Sequence, residues 1–293
     1  MGLAWQQGPL AAGSTGTFLT PEPLPARLLY AEPLRRRMRV LFGGEQIAQS
    51  DDVILLHEPG RYPVAYFPRA DLADGILQAT EHTTQHQDLG KTAWFQVRAG
   101  EHETRRGAWE HIALPPFASI LSDRVAFAWH AMDAFYEEDE RILGHAADAY
   151  HRIDIRRTSR LLTVHCDGEL IARSERPLVL YESGFAPRWY VPREDVRPDY
   201  LHPVARQTFC PYKGLCSYWH IGEQHHAAWA YLDPYREVNQ IAGHISFEPD
   251  KLTVALDGVQ QHLAPGQQVI PHGPDRGLTP DEVLSRPTAG QAA

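Results

Sequence analysis

The sequence predicts a mainly β protein built from two tandem copies of one small domain, with few short helices. Three observations predict it. Val40 to Leu72 aligns without a gap to Val164 to Val196 at an offset of 124, and 14 of the 33 pairs are identical. Short β-rich runs are cut by Gly, Pro or Asp-Gly, as strands and hairpin turns are. Long apolar runs with a 3.6-residue period, the signature of amphipathic helices, are absent.

The repeat carries its own punctuation. Gly44 matches Gly168, Ser50 matches Ser174, Glu58 matches Glu182, Gly60 matches Gly184, and Tyr66 matches Tyr190. The register continues to Thr84/Thr208 and Gly90/Gly214. After a four-residue excess in the first copy, Trp109 matches Trp229 and Phe127 matches Phe247.

Each element has a local reason. Arg39–Phe42 and Glu45–Ala48 flank Gly43-Gly44, a two-residue hairpin turn; the second copy has Asp167-Gly168 there, a strong hairpin signal. Val53–Leu56 and Leu178–Tyr181 are strands ended by Gly60 and Gly184. Val64–Phe67 and Arg188–Val191 follow, each stopped by a proline. Ala93–Val97, Ser217–Ile221, Arg124–Trp129 and His244–Phe247 complete the strand set. Short helices are expected at Pro115–Leu121, at Pro234–Gln240 and in the linker Gly144–Arg157. The expected division is a Pro/Gly-rich extension over 1–36, a first repeat over 37–145, a linker over 146–157, a second repeat over 158–262 and a tail over 263–293.

Composition narrows the function. A net charge of −9 argues against a general nucleic-acid binder. No apolar run reaches a membrane span of roughly 18 residues, and the N-terminus has no secretory pattern. Three cysteines without paired spacing suggest a reduced, cytoplasmic protein. The basic run Arg35-Arg36-Arg37 reads as a solvated edge, and so does the acidic run Glu137 to Glu140, with a cationic partner as its alternative.

The copies differ most where chemistry is concentrated. The second has Thr208-Phe-Cys210-Pro211-Tyr212-Lys213-Gly214; the first has Thr84-Gln-His86-Gln87-Asp88-Leu89-Gly90. Thr and Gly survive while Cys, Pro, Tyr and Lys do not. Cys210 to Lys213 is a natural β-turn, which brings the ammonium near the thiol, where it would favour the thiolate. The bland reading is that Cys210 is packing only and that Lys213 caps a carbonyl or pairs with Asp195. Cys210 and Cys216 lack the spacing of common zinc knuckles, so no metal is expected. His82 and His86 read as surface residues.

These residues resemble the domain-of-unknown-function family numbered 427, filed in some collections under a nucleotidyltransferase-like label. The resemblance rests on Leu180-Tyr181-Glu182, Tyr190-Val-Pro192-Arg193-Glu-Asp195-Val196, Thr208-x-Cys210-Pro211-x-Lys213-Gly214, Tyr218-Trp219 and Ala228-Trp229-Ala-Tyr231. Tyr66-Phe67-Pro68, Asp71 and the acidic run carry it in the first copy. It covers roughly residues 37–260 and implies a compact, tent-like β domain of Mss-like topology. It implies no settled activity, and the chain shows no Gly-rich phosphate loop.

The expectation is a small-molecule enzyme of unassigned reaction with its site in the second repeat. Cys210, Lys213, Glu182 and Asp195 are the candidate catalytic residues. Tyr190, Arg193, Thr208, Tyr212, Tyr218 and Trp229 are the candidate ligand-binding residues, Arg193 as an anion anchor. Tyr181 and Trp219 are further candidates for pocket walls, although neighbours Tyr218 and Trp219 must face opposite sides of a strand. The alternatives are a non-catalytic nucleotide- or metabolite-binding module, and an interaction protein that uses the acidic run. No cofactor is called for.

Overall fold

The computed structural model describes residues 19–262, apart from 23, 24, 26, 27, 59–61, 147 and 184. The strand-ending Gly60 and Gly184, most of the expected extension before Leu19, and the tail lie outside the described residues. The chain divides into two units, with the division between Asp148 and Ala149.

The first unit holds β1 (Tyr30–Pro33), β2 (Met38–Phe42), β3 (Glu45–Ser50), β4 (Ile54–His57), β5 (Val64–Pro68), β6 (Leu77–His86), β7 (Gly90–Ala99), β8 (His102–His111), β9 (Arg124–Phe127), β10 (Ala134–Glu137) and β11 (Glu140–Ile142). The second holds β12 (Ile153–Arg157), β13 (Leu162–Cys166), β14 (Glu169–Ser174), β15 (Leu178–Glu182), β16 (Arg188–Val191), β17 (Leu201–Cys210), β18 (Gly214–Ile221), β19 (Gln224–Pro234), β20 (Ile245–Phe247), β21 (Thr253–Leu256) and β22 (Val259–Gln260).

Both units have one topology. A seven-stranded sheet runs β1-β4-β5-β9-β8-β7-β6 in the first and β12-β15-β16-β20-β19-β18-β17 in the second. A four-stranded sheet runs β11-β10-β2-β3 in the first and β14-β13-β21-β22 in the second. The fold is mainly β in two repeated domains, as the sequence predicts. The tight hairpins agree as well: Gly43 and Gly44 have φ of 63° and 77°, Asp167 and Gly168 of 50° and 86°. Left-handed φ at both central residues gives the turn the twist of the flanking strands.

Three expectations change. The described residues of 144–157 include no helix, and Ile153–Arg157 pairs with β15 as an edge strand. The expected N-terminal extension contains β1, which pairs with β4. The expected helices at 115–121 and 234–240 are present as 3-10 segments, Pro116–Leu121 and Arg236–Ile241.

The two faces of the second unit's large sheet have different surroundings. Val191, Trp219, Ile221, Ala228, Ala230, Ile245 and Phe247 pack against Leu162, Val164, Ile171, Ala172, Val254 and Leu256 of the small sheet. The opposite face carries Leu178, Leu180, Tyr190, Cys216 and Tyr231, covered by Val238 and Ile241 of the 3-10 segment. Strand alternation makes this division, since successive side chains point to opposite faces. The candidate chemistry lies on the second face.

Candidate functional site

The site is built from the ends of two strands and the turn between β17 and β18. Lys213 N–H donates to the Cys210 carbonyl at 3.3 Å, closing the predicted turn. Gly214 then restarts the sheet with φ +93°, and Gly90 does so in the first unit with φ +78°. A Cβ at Gly90 would come within 2.2 Å of the Ala113 carbonyl oxygen. At Gly214 the nearest atom would be an ordinary 3.6 Å away, so the left-handed φ is the reason the two copies share for keeping this glycine.

The threonine survives for another reason. Thr208 Oγ1 bonds the Tyr218 hydroxyl at 2.8 Å, and Thr84 Oγ1 accepts from Trp94 Nε1 at 3.0 Å. In each copy it satisfies the polar tip of the aromatic residue on the next strand. Likewise Trp229 Nε1 donates to Tyr190 Oη at 3.4 Å and Trp109 Nε1 to Tyr66 Oη at 3.3 Å.

Lys213 does not reach Asp195. Its Nζ donates to Glu182 Oε2 at 2.5 Å, and His151 Nε2 lies 2.9 Å from Glu182 Oε1. Lys213 is only 7% exposed, so this is a buried ion pair. Burial pushes the Glu182 carboxyl up, but the Lys213 ammonium and the His151 contact outweigh it and hold the group well below the carboxylate range. Burial likewise opposes the Lys213 charge, yet the neighbouring Cys210 and Glu182 hold its pKa above the ordinary value. The Lys213 ammonium also lies 6.0 Å from the Tyr231 ring centroid. Tyr212 stacks on the His151 ring at 3.7 Å.

Cys210 is half-buried beside this pair. Burial raises its pKa; Lys213 pulls it down, Glu182 pushes it up, and the net shift is upward. Burial thus works against the thiolate that the turn suggested, and Lys213 works for it. Cys216 is buried and pushed up to about 12, chiefly by desolvation. Tyr190 and Tyr231 are raised by burial too and stay protonated.

Several expected residues stand elsewhere. Asp195 accepts from Ser174 Oγ at 2.7 Å and from Arg176 Nη2 at 3.0 Å, which ties it to β14. Arg193 lies 5.6 Å from the Trp219 ring centroid, and Trp219 belongs to the core on the other face. Tyr181 points outward, 47% exposed. Tyr190, Thr208, Tyr212, Tyr218 and Trp229 do border the cluster or share its sheet face.

The first unit keeps a polar cluster of its own. His86 is turned inward, contrary to its surface reading, and its Nε2 lies 2.6 Å from Glu58 Oε2. Its Nδ1 accepts from the backbone N–H of Asp88 and Leu89 at 3.1 and 3.0 Å. With Nδ1 accepting these two bonds, Nε2 is the atom that donates to Glu58. Nearby, Tyr66 Oη is 2.9 Å from His111 Nε2, and Thr92 Oγ1 is 3.1 Å from His111 Nδ1.

The charged runs also find partners. Arg36 meets Glu137 at 2.6 Å, and Arg39 meets Asp139 at 3.1 Å. Residues of the basic and acidic segments thus pair along one edge of the first unit, while Asp139 stays largely exposed.

A family described as a domain of unknown function (DUF427) matches residues 30–138 and 154–258. The chain belongs to this family. The two matched segments coincide with the two repeated units and confirm a tandem member. No curated protein matches the chain. Among the described residues of this DUF427 protein, no group of three or more His, Cys, Asp and Glu side chains is arranged to hold a metal ion. No described helix is long and apolar enough to cross a membrane.

Proposed function

We propose that the second unit is a small-molecule enzyme centre in which Cys210 is the reacting group. The observation that carries this reading is the partly buried Cys210 beside a buried Lys213–Glu182 pair, an arrangement the first unit replaces with His86 and Leu89. A buried ion pair is costly to desolvate and is weak support for stability, so its retention in one copy favours a use other than packing. In this reading Cys210 passes its proton to a basic atom of the substrate as the substrate binds. Lys213 then stabilises the thiolate, and Glu182 with His151 holds Lys213 in place. Tyr218 and Trp229 offer the half-buried aromatic surface for the substrate's body. Its partner is a small molecule rather than nucleic acid or membrane. Three unpaired thiols suit a reducing, cytoplasmic setting.

The second reading is a non-catalytic binding module, favoured by the upward shift at Cys210. Alkylation by iodoacetamide across pH, read by mass spectrometry, separates the two. An enzyme thiol reacts in the folded protein ahead of Cys166 and Cys216, and Lys213→Met slows it. If Cys210 reacts only after denaturation, the binding-module reading replaces the enzyme reading.

A further inference from the structure

The second unit buries a polar group that its twin lacks. Arg188 lies on β16, only 8% exposed, with its guanidinium 5.4 Å from the Trp229 ring centroid. Its Nη1 is 3.6 Å from Glu248, too long for a good hydrogen bond. Its Nη2 has no hydrogen-bond partner, and neither has Ser246 Oγ nor Glu248 Oε1. Among the described residues of the second unit, these three atoms are the whole set of buried side-chain polar atoms without a partner.

Register gathers them at one place. Tyr190 pairs with Ser246, which sets Arg188 opposite Glu248 two residues along, and Trp229 also pairs with Ser246. Tyr218 pairs with Trp229 in turn. Arg188, Ser246, Glu248, Trp229 and Tyr218 therefore share a sheet face with Tyr190 and the Lys213 cluster. Arg206 adds a second guanidinium, 5.2 Å from the Tyr218 ring centroid.

The twin shows that the fold does not need these groups. The matching first-unit positions are Val64, Ala126 and Ala128, apolar throughout. A buried guanidinium donor and hydroxyl left unpaired carry the full cost of desolvation, which the apolar set avoids. Such atoms are retained where something else completes them.

We infer that Arg188 and Ser246 anchor an oxyanion, a carboxylate or phosphate group, of the small molecule taken by the second unit. The free Nη2 and Oγ supply the donors, Glu248 swings from its loose contact, and Trp229 with Tyr218 carries the ligand's flat or apolar body. This rests on the small-molecule reading above and gives it a substrate class. It also replaces Arg193, the anchor expected from sequence, with a residue on the face where Cys210 and Lys213 lie.

Titration calorimetry of the full chain with inorganic phosphate, acetate and benzoate tests it. The expected result is one saturable site for at least one probe; phosphate against the two carboxylates tells which oxyanion it prefers. The swap Arg188→Val with Ser246→Ala installs residues the fold already accepts in its first unit. It is expected to fold and to weaken the probe at least about tenfold. Circular dichroism confirms folding, and wild-type melting should rise by about 5 °C at a hundred times the Kd. No binding by any probe, or equal binding by the swapped chain, overturns the inference. Binding is read on unreacted protein, so an inert Cys210 leaves this result standing, and a failure to bind leaves the Cys210 reading standing.

Discussion

His86 occupies the strand position of Cys210 yet makes the contact that Lys213 makes: its Nε2 lies 2.6 Å from Glu58, where Lys213 Nζ lies 2.5 Å from Glu182. The glutamate is common to both copies and largely buried in both. Its partner has moved by three positions in the turn, from one residue type to another. The constraint is that the carboxylate needs a donor, not that a given position must supply it.

This compensation can be exchanged experimentally. His86→Cys should destabilise the first unit by about 3 kcal/mol, since it breaks a buried pair. Adding Leu89→Lys to that variant should recover most of the loss. Urea denaturation measures both, and a double variant no better than the single would show that the two turns are not equivalent.

The Lys213–Glu182 pair sets a pH signature. Glu182 is depressed in the folded state, so its contribution is complete above the unfolded value of about 4.3 and is lost as pH falls through the lower folded value. Lys213 is raised, so its contribution is complete below about 10.4 and is lost as pH climbs through the higher folded value. In Lys213→Met the main charge holding Glu182 down is gone and burial dominates. Stability of that variant should rise as pH drops from 7 towards 5, where the wild type stays flat. Denaturation series at fixed pH steps read the slope.

Cys210 alkylation should keep accelerating above pH 8.5, the ordinary thiol value of about 8.5 being exceeded. Lys213→Met should move the profile to still higher pH, because Lys213 is the group that pulls the thiol down. An unchanged profile in that variant would separate Lys213 electrically from Cys210.

The paired charged runs should contribute unequally. Asp139 is 86% exposed at its side chain, so Asp139→Ala should change stability by less than about 0.5 kcal/mol. Glu137 is buried against Arg36, and Glu137→Ala should cost about 1–2 kcal/mol. Thermal melts in low and high salt distinguish them, with the exposed pair alone sensitive to salt.

Sequence by itself determined the repeat, the mainly β class, the two-residue hairpins, and the Cys210–Lys213 turn with its glycine. These are local: a turn needs particular φ values, a strand a period of two, and a repeat needs only alignment. It also marked Cys210 and Lys213 through the contrast between copies. Tertiary structure alone decided which partner each charge takes. Arg193 and Arg188 stand five residues apart and look alike in the sequence, yet the first lies over Trp219 in one core and the second over Trp229 on the opposite face. Asp195 went to Arg176, Lys213 went to Glu182, and His86 turned inward for the same reason. Face and register depend on how distant strands pair, and a shift of one residue exchanges every side chain between the two sides of a sheet.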